Sequence, residues 1–142
     1  MAEENLQAFL LENAIKADEI EYVASPRFVS GGKPVPWKIS PITNDENEAL
    51  TNRCRRKQFV PGTRETRMRV DQEAYAAELI CACVKYPNLN SEQLQSSYSA
   101  VGAADLVKKM LTPGEYQDLF SAVMQANSFD IGMDEKIKKA KN

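Results

Sequence analysis

The stretch ELICACVKYPNLNSEQLQSSYSAVGAADLVKKMLTPGEYQDLFSAVMQANSFD, Glu78 to Asp130, decides the fold. Its beginning continues an apolar run: from Ala76 to Val84 only Glu78 is polar, the pattern of a helix buried on nearly all sides. Asp71 upstream is a good N-cap and Pro87 downstream a stop, so the sequence predicts one central helix from Asp71 to Tyr86. Short amphipathic helices follow the Tyr86-Pro87-Asn88 break. Asn90 or Ser91 caps the first, which runs to Tyr98 with Leu94 and Tyr98 facing inward. Gly102 interrupts, and Ala103, Leu106, Val107 and Met110 form the next apolar stripe. Thr112-Pro113-Gly114-Glu115 opens the third with an N-cap threonine, a proline in the first turn and a glutamate that completes a capping box. Tyr116, Leu119, Phe120 and Val123 then line one face.

A second capping box, Thr43-Asn44-Asp45-Glu46, predicts a helix to about Cys54 with Ala49, Leu50 and Cys54 inward. Arg53, Arg55, Arg56 and Lys57 close it, where positive charge complements the helix dipole. Gln58 to Met68 holds Pro61-Gly62 and no periodicity, and is expected to be a loop. Nearer the N-terminus, Ile20–Ser25 and Val35–Ser40 alternate as strands, with Gly31-Gly32 supplying a turn between them. Pro34, Pro36 and Pro41 lack a backbone donor, which assigns the second strand to a sheet edge or an extended arm. Glu3–Ala14 reads as a short amphipathic helix with Leu6, Phe9, Leu10 and Ala14 on one face. The lysine-rich Asp134–Asn142 reads as a frayed tail. The expected fold is α+β, mainly α: a compact multi-helix domain with a small N-terminal β-hairpin. Residues 1–18 form an arm, 19–42 the hairpin, 43–130 the helical body and 131–142 a flexible tail.

Composition removes several function classes. A chain of 142 residues fits one domain and can bury a proper core. Its net charge is -2 and its pI about 5.3, whereas a nucleic-acid-binding domain is normally basic. There is no histidine, which removes the usual general base and the commonest metal ligand. Cys81 and Cys83 would point about 200° apart on a helix and cannot share a tetrahedral metal. With Cys54 they read as buried thiols in a reducing cytosol. No carboxylates pair across a cleft and no glycine loop matches a phosphate-binding pattern, so neither an enzyme nor a cofactor is expected. The N-terminus, MAEENLQAFLLENA, is acidic where a secretory signal is basic, and Gln7, Glu12 and Asn13 break its apolar run. Export and membrane insertion are therefore not expected, and the bacterial cytoplasm is the expected location.

The densest charge lies between Arg53 and Arg69, seven bases against Glu65. It reads either as a solvated loop after a helix end or as a site for an acidic partner, with Arg55, Arg56 and Arg67 as the candidate partner-binding residues. Cys54 among these arginines is either a reactive thiol or a small apolar residue on the inner face of its helix. Single-strand binders stack several rings along a basic groove, and here only Phe59 is interleaved. Tyr22, Phe28 and Trp37 either cover the helical core or form an exposed docking patch. Met110, Met124 and Met133 either fill the core or line an adaptable groove.

Taken in order, these residues resemble the XkdN-like phage tail assembly chaperones. In the N-terminal half the likeness lies in Tyr22-Val23-Ala24-Ser25, Arg27-Phe28, Gly32-Lys33-Pro34, Trp37-Lys38-Ile39, Pro41-Ile42, Glu48-Ala49-Leu50 and Cys54. In the C-terminal half it lies in Tyr86-Pro87-Asn88-Leu89, Leu94-Gln95, Ser97-Tyr98, Gly102-Ala103 and Leu111 to Tyr116. The resemblance implies an assembly factor of a tailed phage or prophage that binds the tape measure protein and keeps it soluble until tail tube subunits compete for it. It implies no catalytic residues. Two alternatives remain at this point: a structural tail or head-completion protein retained in the virion, and a small nucleic-acid-binding phage regulator using Arg53 to Arg69. Self-association is left open. The family resemblance also implies a longer product made by frameshifting, for which Lys138-Lys139 would be encoded by an A-rich run.

Overall fold

The computed structural model describes residues 6–128. The fold is mixed α+β, with 44% of the described residues helical and 19% in strands. In chain order the elements are β1 (Ile20–Tyr22), β2 (Val29–Ser30), β3 (Lys33–Pro34), β4 (Trp37–Ile39), α1 (Asn44–Arg53), β5 (Arg55–Phe59), β6 (Thr66–Val70), α2 (Gln72–Cys83), β7 (Val84–Tyr86), α3 (Glu92–Ser97), α4 (Ala103–Met110) and α5 (Pro113–Ala126).

The apolar run becomes the centre of the molecule. Ala77, Leu79, Ile80 and Cys83 of α2 are buried, and the helix packs against α1, α4 and α5. Around it lie Leu50 of α1, Leu106 and Val107 of α4, and Leu119 and Val123 of α5, all fully enclosed. Side-chain caps start these helices where the sequence signals placed them. Asp71 Oδ1 accepts from the Glu73 and Ala74 amides, each at 3.1 Å. Thr43 and Glu46 exchange both bonds of a capping box, as do Thr112 and Glu115. Each such cap contributes about 1 kcal/mol.

Strands depart from the sequence reading in three places. The central helix ends at Cys83 rather than Tyr86, because Val84–Tyr86 pairs antiparallel with β4 as the third strand of a β1-β4-β7 sheet. Val84 is β-branched and Tyr86 precedes Pro87, so both favour extended backbone once a partner strand is present. In the same sheet β4 is the middle strand, not an edge. Pro36 and Pro41 flank Trp37–Ile39 instead of interrupting it, so no ladder donor is lost. Gly31 and Gly32, both at positive φ, make the two-residue turn of the small β2–β3 hairpin between β1 and β4. The third departure is the expected loop after α1. That helix stops at Arg53, and Arg55–Phe59 and Thr66–Val70 form an antiparallel hairpin.

The N-terminal segment also differs. Among the described residues it holds a 3-10 turn, Leu6–Phe9, with none of its residues buried, and then a turn in which the Ala14 amide donates to the Leu10 carbonyl. A helix of this length is marginal in water without an apolar surface to lie on. The lysine-rich tail and the Lys138-Lys139 pair lie outside the described residues.

Candidate partner-docking surface

The β5–β6 hairpin stands on two helix ends. At its base the Asp71 amide donates to the Cys54 carbonyl at 2.8 Å, joining the C-cap of α1 to the N-cap of α2. At its tip the Val60 amide donates to the Glu65 carbonyl at 3.0 Å, and Gly62 at φ +78° allows the turn. Among the described residues no third strand joins it, and every strand residue is exposed except the half-buried Val70. A two-stranded ribbon with no buried face is marginal alone; here the fixed helix ends hold it.

Register sorts its side chains. Arg55 lies opposite Val70, Lys57 opposite Met68 and Phe59 opposite Thr66, and these six share one face. Arg56 opposite Arg69 and Gln58 opposite Arg67 make the other. One face thus mixes apolar side chains with two bases, with Phe59 72% and Met68 54% exposed. The other carries three arginines around Gln58, whose Oε1 accepts from Arg69 Nη1 at 3.3 Å. Of the three arginines singled out in the sequence, Arg56 and Arg67 share this face and Arg55 points to the opposite one. Arg55 Nε donates to Asn52 Oδ1 at 3.0 Å, and Arg56 Nη1 donates to the Arg53 and Arg55 carbonyls at 2.6 and 3.0 Å.

From Arg55 to Val70 there are six bases and one acid, a net +5, which leaves -7 for the rest of a chain whose total is -2. Among the described residues none of the six bases is in an ion pair; Arg53, just before the hairpin, is held by Glu78 at 3.1 Å. An open concavity of about 700 Å³ lies at the hairpin base, lined by Arg56, Gln58, Arg69 and Asp71 among others. Its charge suits an acidic polypeptide. The basic run already included Arg69 and Phe59, but their grouping with Met68 on the two faces depends on strand register. The signal for that grouping is the Pro61-Gly62 turn between RRKQF and TRMRV, two five-residue runs.

Two other surfaces were candidates. Trp37 is 2% exposed and stacks on Phe28 with ring centroids 6.3 Å apart, and Tyr22 packs beside the same core, so these aromatics cover the helices. Met110 is buried and Met124 packs against the core; Met133 lies outside the described residues. The N-terminal arm is the opposite case: Leu11 and Ile15 are each 95% exposed.

Thiol chemistry is not favoured. Burial, with Glu78 adding to it, pushes the Cys54 thiol up despite Arg56 and Arg53, so the inner-face reading describes it. Burial raises Cys83 as well, and Cys81 to about 11. Among the described residues no group of acids and cysteines could hold a metal ion, and no helix is long and apolar enough to cross a membrane.

The family model for phage XkdN-like tail assembly chaperone proteins matches residues 6–141. The chain belongs to that family. It is therefore of a phage tail assembly type, and the family is not one of known enzymes. The fold is similar to the crystal structure of the protein YqbN, with a TM-score of 0.75 and 24% sequence identity over 91% of this chain and all of that one. No curated protein matches.

Proposed function

We infer that this chain is a non-enzymatic, cofactor-free tail assembly chaperone of a tailed phage or prophage, which binds the tape measure protein in the bacterial cytoplasm and keeps it soluble. The observation that carries this reading is family membership across nearly the whole chain. The physical chemistry agrees with it. A long helical partner exposes apolar stripes, and covering them takes packing surface rather than hydrolysis. This chain offers two projecting features: an arm with Leu6, Phe9, Leu11 and Ile15 exposed, and the basic hairpin with Arg55, Arg56 and Arg67. The arm would supply apolar contact and the hairpin would engage acidic positions. Competition from tail tube subunits would release the cargo without any chemical step.

The test is co-expression with the tape measure protein of the same phage or prophage, scored by solubility and co-purification. The reading requires that protein to stay soluble only with this chain and to elute with it. A partner that is soluble alone and ignores this chain overturns it; finding the chain in purified particles would point to a structural tail subunit instead.

A further inference from the structure

We propose that the outer edge of β6 is a strand-addition site for an extended partner segment that alternates acidic and apolar residues. The proposal rests on the reading of this chain as a partner-binding protein and gives that binding a mode.

The backbone selects the edge. Antiparallel pairs alternate between those that exchange hydrogen bonds and those that do not. The Asp71–Cys54 and Val60–Glu65 bonds bracket the ribbon at its two ends. With the register between them, Arg56/Arg69 and Gln58/Arg67 are the inward-bonded pairs. The amides and carbonyls of Thr66, Met68 and Val70 therefore point away from β5, as do those of Arg55, Lys57 and Phe59 on the other edge. On the β5 edge the Arg55 carbonyl is already taken by Arg56 Nη1, and Arg55 and Lys57 place charge beside Phe59. On the β6 edge the side chains separate cleanly: Thr66, Met68 and Val70 on one face, Arg67 and Arg69 on the other. A strand added there would set its apolar residues beside Met68 and its acids beside Arg67 and Arg69.

Charge also chooses the occupant. A second copy's hairpin would bring net +5 against net +5, so edge-to-edge pairing between copies is opposed. An acidic strand gains what a like strand loses.

The probe is a labelled peptide, Glu-Val-Glu-Val-Glu-Val-Glu, titrated into the full chain by fluorescence anisotropy with backbone amides followed by hydrogen exchange. Binding should bring new protection to Thr66, Met68 and Val70 and leave Lys57 and Phe59 unprotected. Arg67→Gln with Arg69→Gln should weaken binding roughly tenfold or more, as should N-methylation of the peptide amides that face the edge. The inward Arg56 and Arg69-position amides report that the hairpin is intact in the variant. A block peptide, Glu-Glu-Glu-Glu-Val-Val-Val, binding equally well would overturn the proposal, since charge alone would then suffice. So would protection on β5, no binding at all, or displacement of the peptide by duplex DNA with a steep salt dependence. Peptide failure beside successful co-expression removes only this proposal; peptide success beside failed co-expression removes only the assignment of the partner.

Discussion

Glu115 joins three parts of the chain through one carboxylate. It completes the capping box of α5 by accepting from the Thr112 amide at 2.9 Å, and it pairs with Arg27 at the same distance. Arg27 also donates to the Met110 carbonyl at 2.7 Å, so the segment after β1 is tied to the α4–α5 junction. The Thr112 amide first, then the Ser25 hydroxyl and the Arg27 guanidinium, lower its pKa from 4.5 to about 2. A carboxylate whose folded value is depressed stabilises the fold above its unfolded value and loses that effect as pH falls through the folded one. Glu115→Gln cannot titrate, so urea unfolding should show its deficit against wild type in full above pH 4.5 and closing towards pH about 2. A deficit constant across that window would refute the role of the charge. Leu79 is a simpler residue: fully enclosed in α2, it should cost about 2–5 kcal/mol when cut to alanine. Since domains are stable by only about 5–15 kcal/mol, Leu79→Ala should be partly unfolded at moderate temperature by circular dichroism.

At the scale of elements, what the sequence revealed depended on burial. The central helix, both capping boxes, Asp71 and the glycine turn at Gly31-Gly32 were legible because local chemistry and one buried face agree there. The β5–β6 hairpin was not. Hydrophobic alternation marks a strand only when one of its faces is buried, and this ribbon buries neither. Val84–Tyr86 was hidden for another reason: it continues an apolar run, and only pairing with β4 distinguishes strand from helix there. The candidate site was readable as composition, a run of bases, but its division into an arginine face and a Met68–Phe59 face needed the register. That independence from the core has a consequence. Because the Asp71–Cys54 bond already brings α1 and α2 together, residues 56–69 can be replaced by a short turn. The excision should change stability by only about 1 kcal/mol, the scale of a loop-length change, and leave the helical circular dichroism intact. A collapse of helicity would mean that the hairpin supports the core rather than projecting from it.

Over the whole molecule, the two projecting features would work by different physics, and salt separates them. The arm carries exposed Leu6, Phe9, Leu11 and Ile15, with nothing buried in its 3-10 turn, so removing residues 1–15 should alter stability by no more than about 0.5 kcal/mol. Its contribution to holding an apolar helical partner should hardly respond to salt. The hairpin's net +5 acts through exposed charge, which is screened over about 10 Å at 0.1 M ionic strength and about 3 Å at 1 M. Co-purification with the partner should therefore divide in a specific way. Without the arm, the remaining binding should fall steeply as salt is raised; with the hairpin excised, it should persist. If both variants respond to salt alike, the two features do not make separate contacts, and the partner lies instead across a single surface that includes neither the arm nor the ribbon alone.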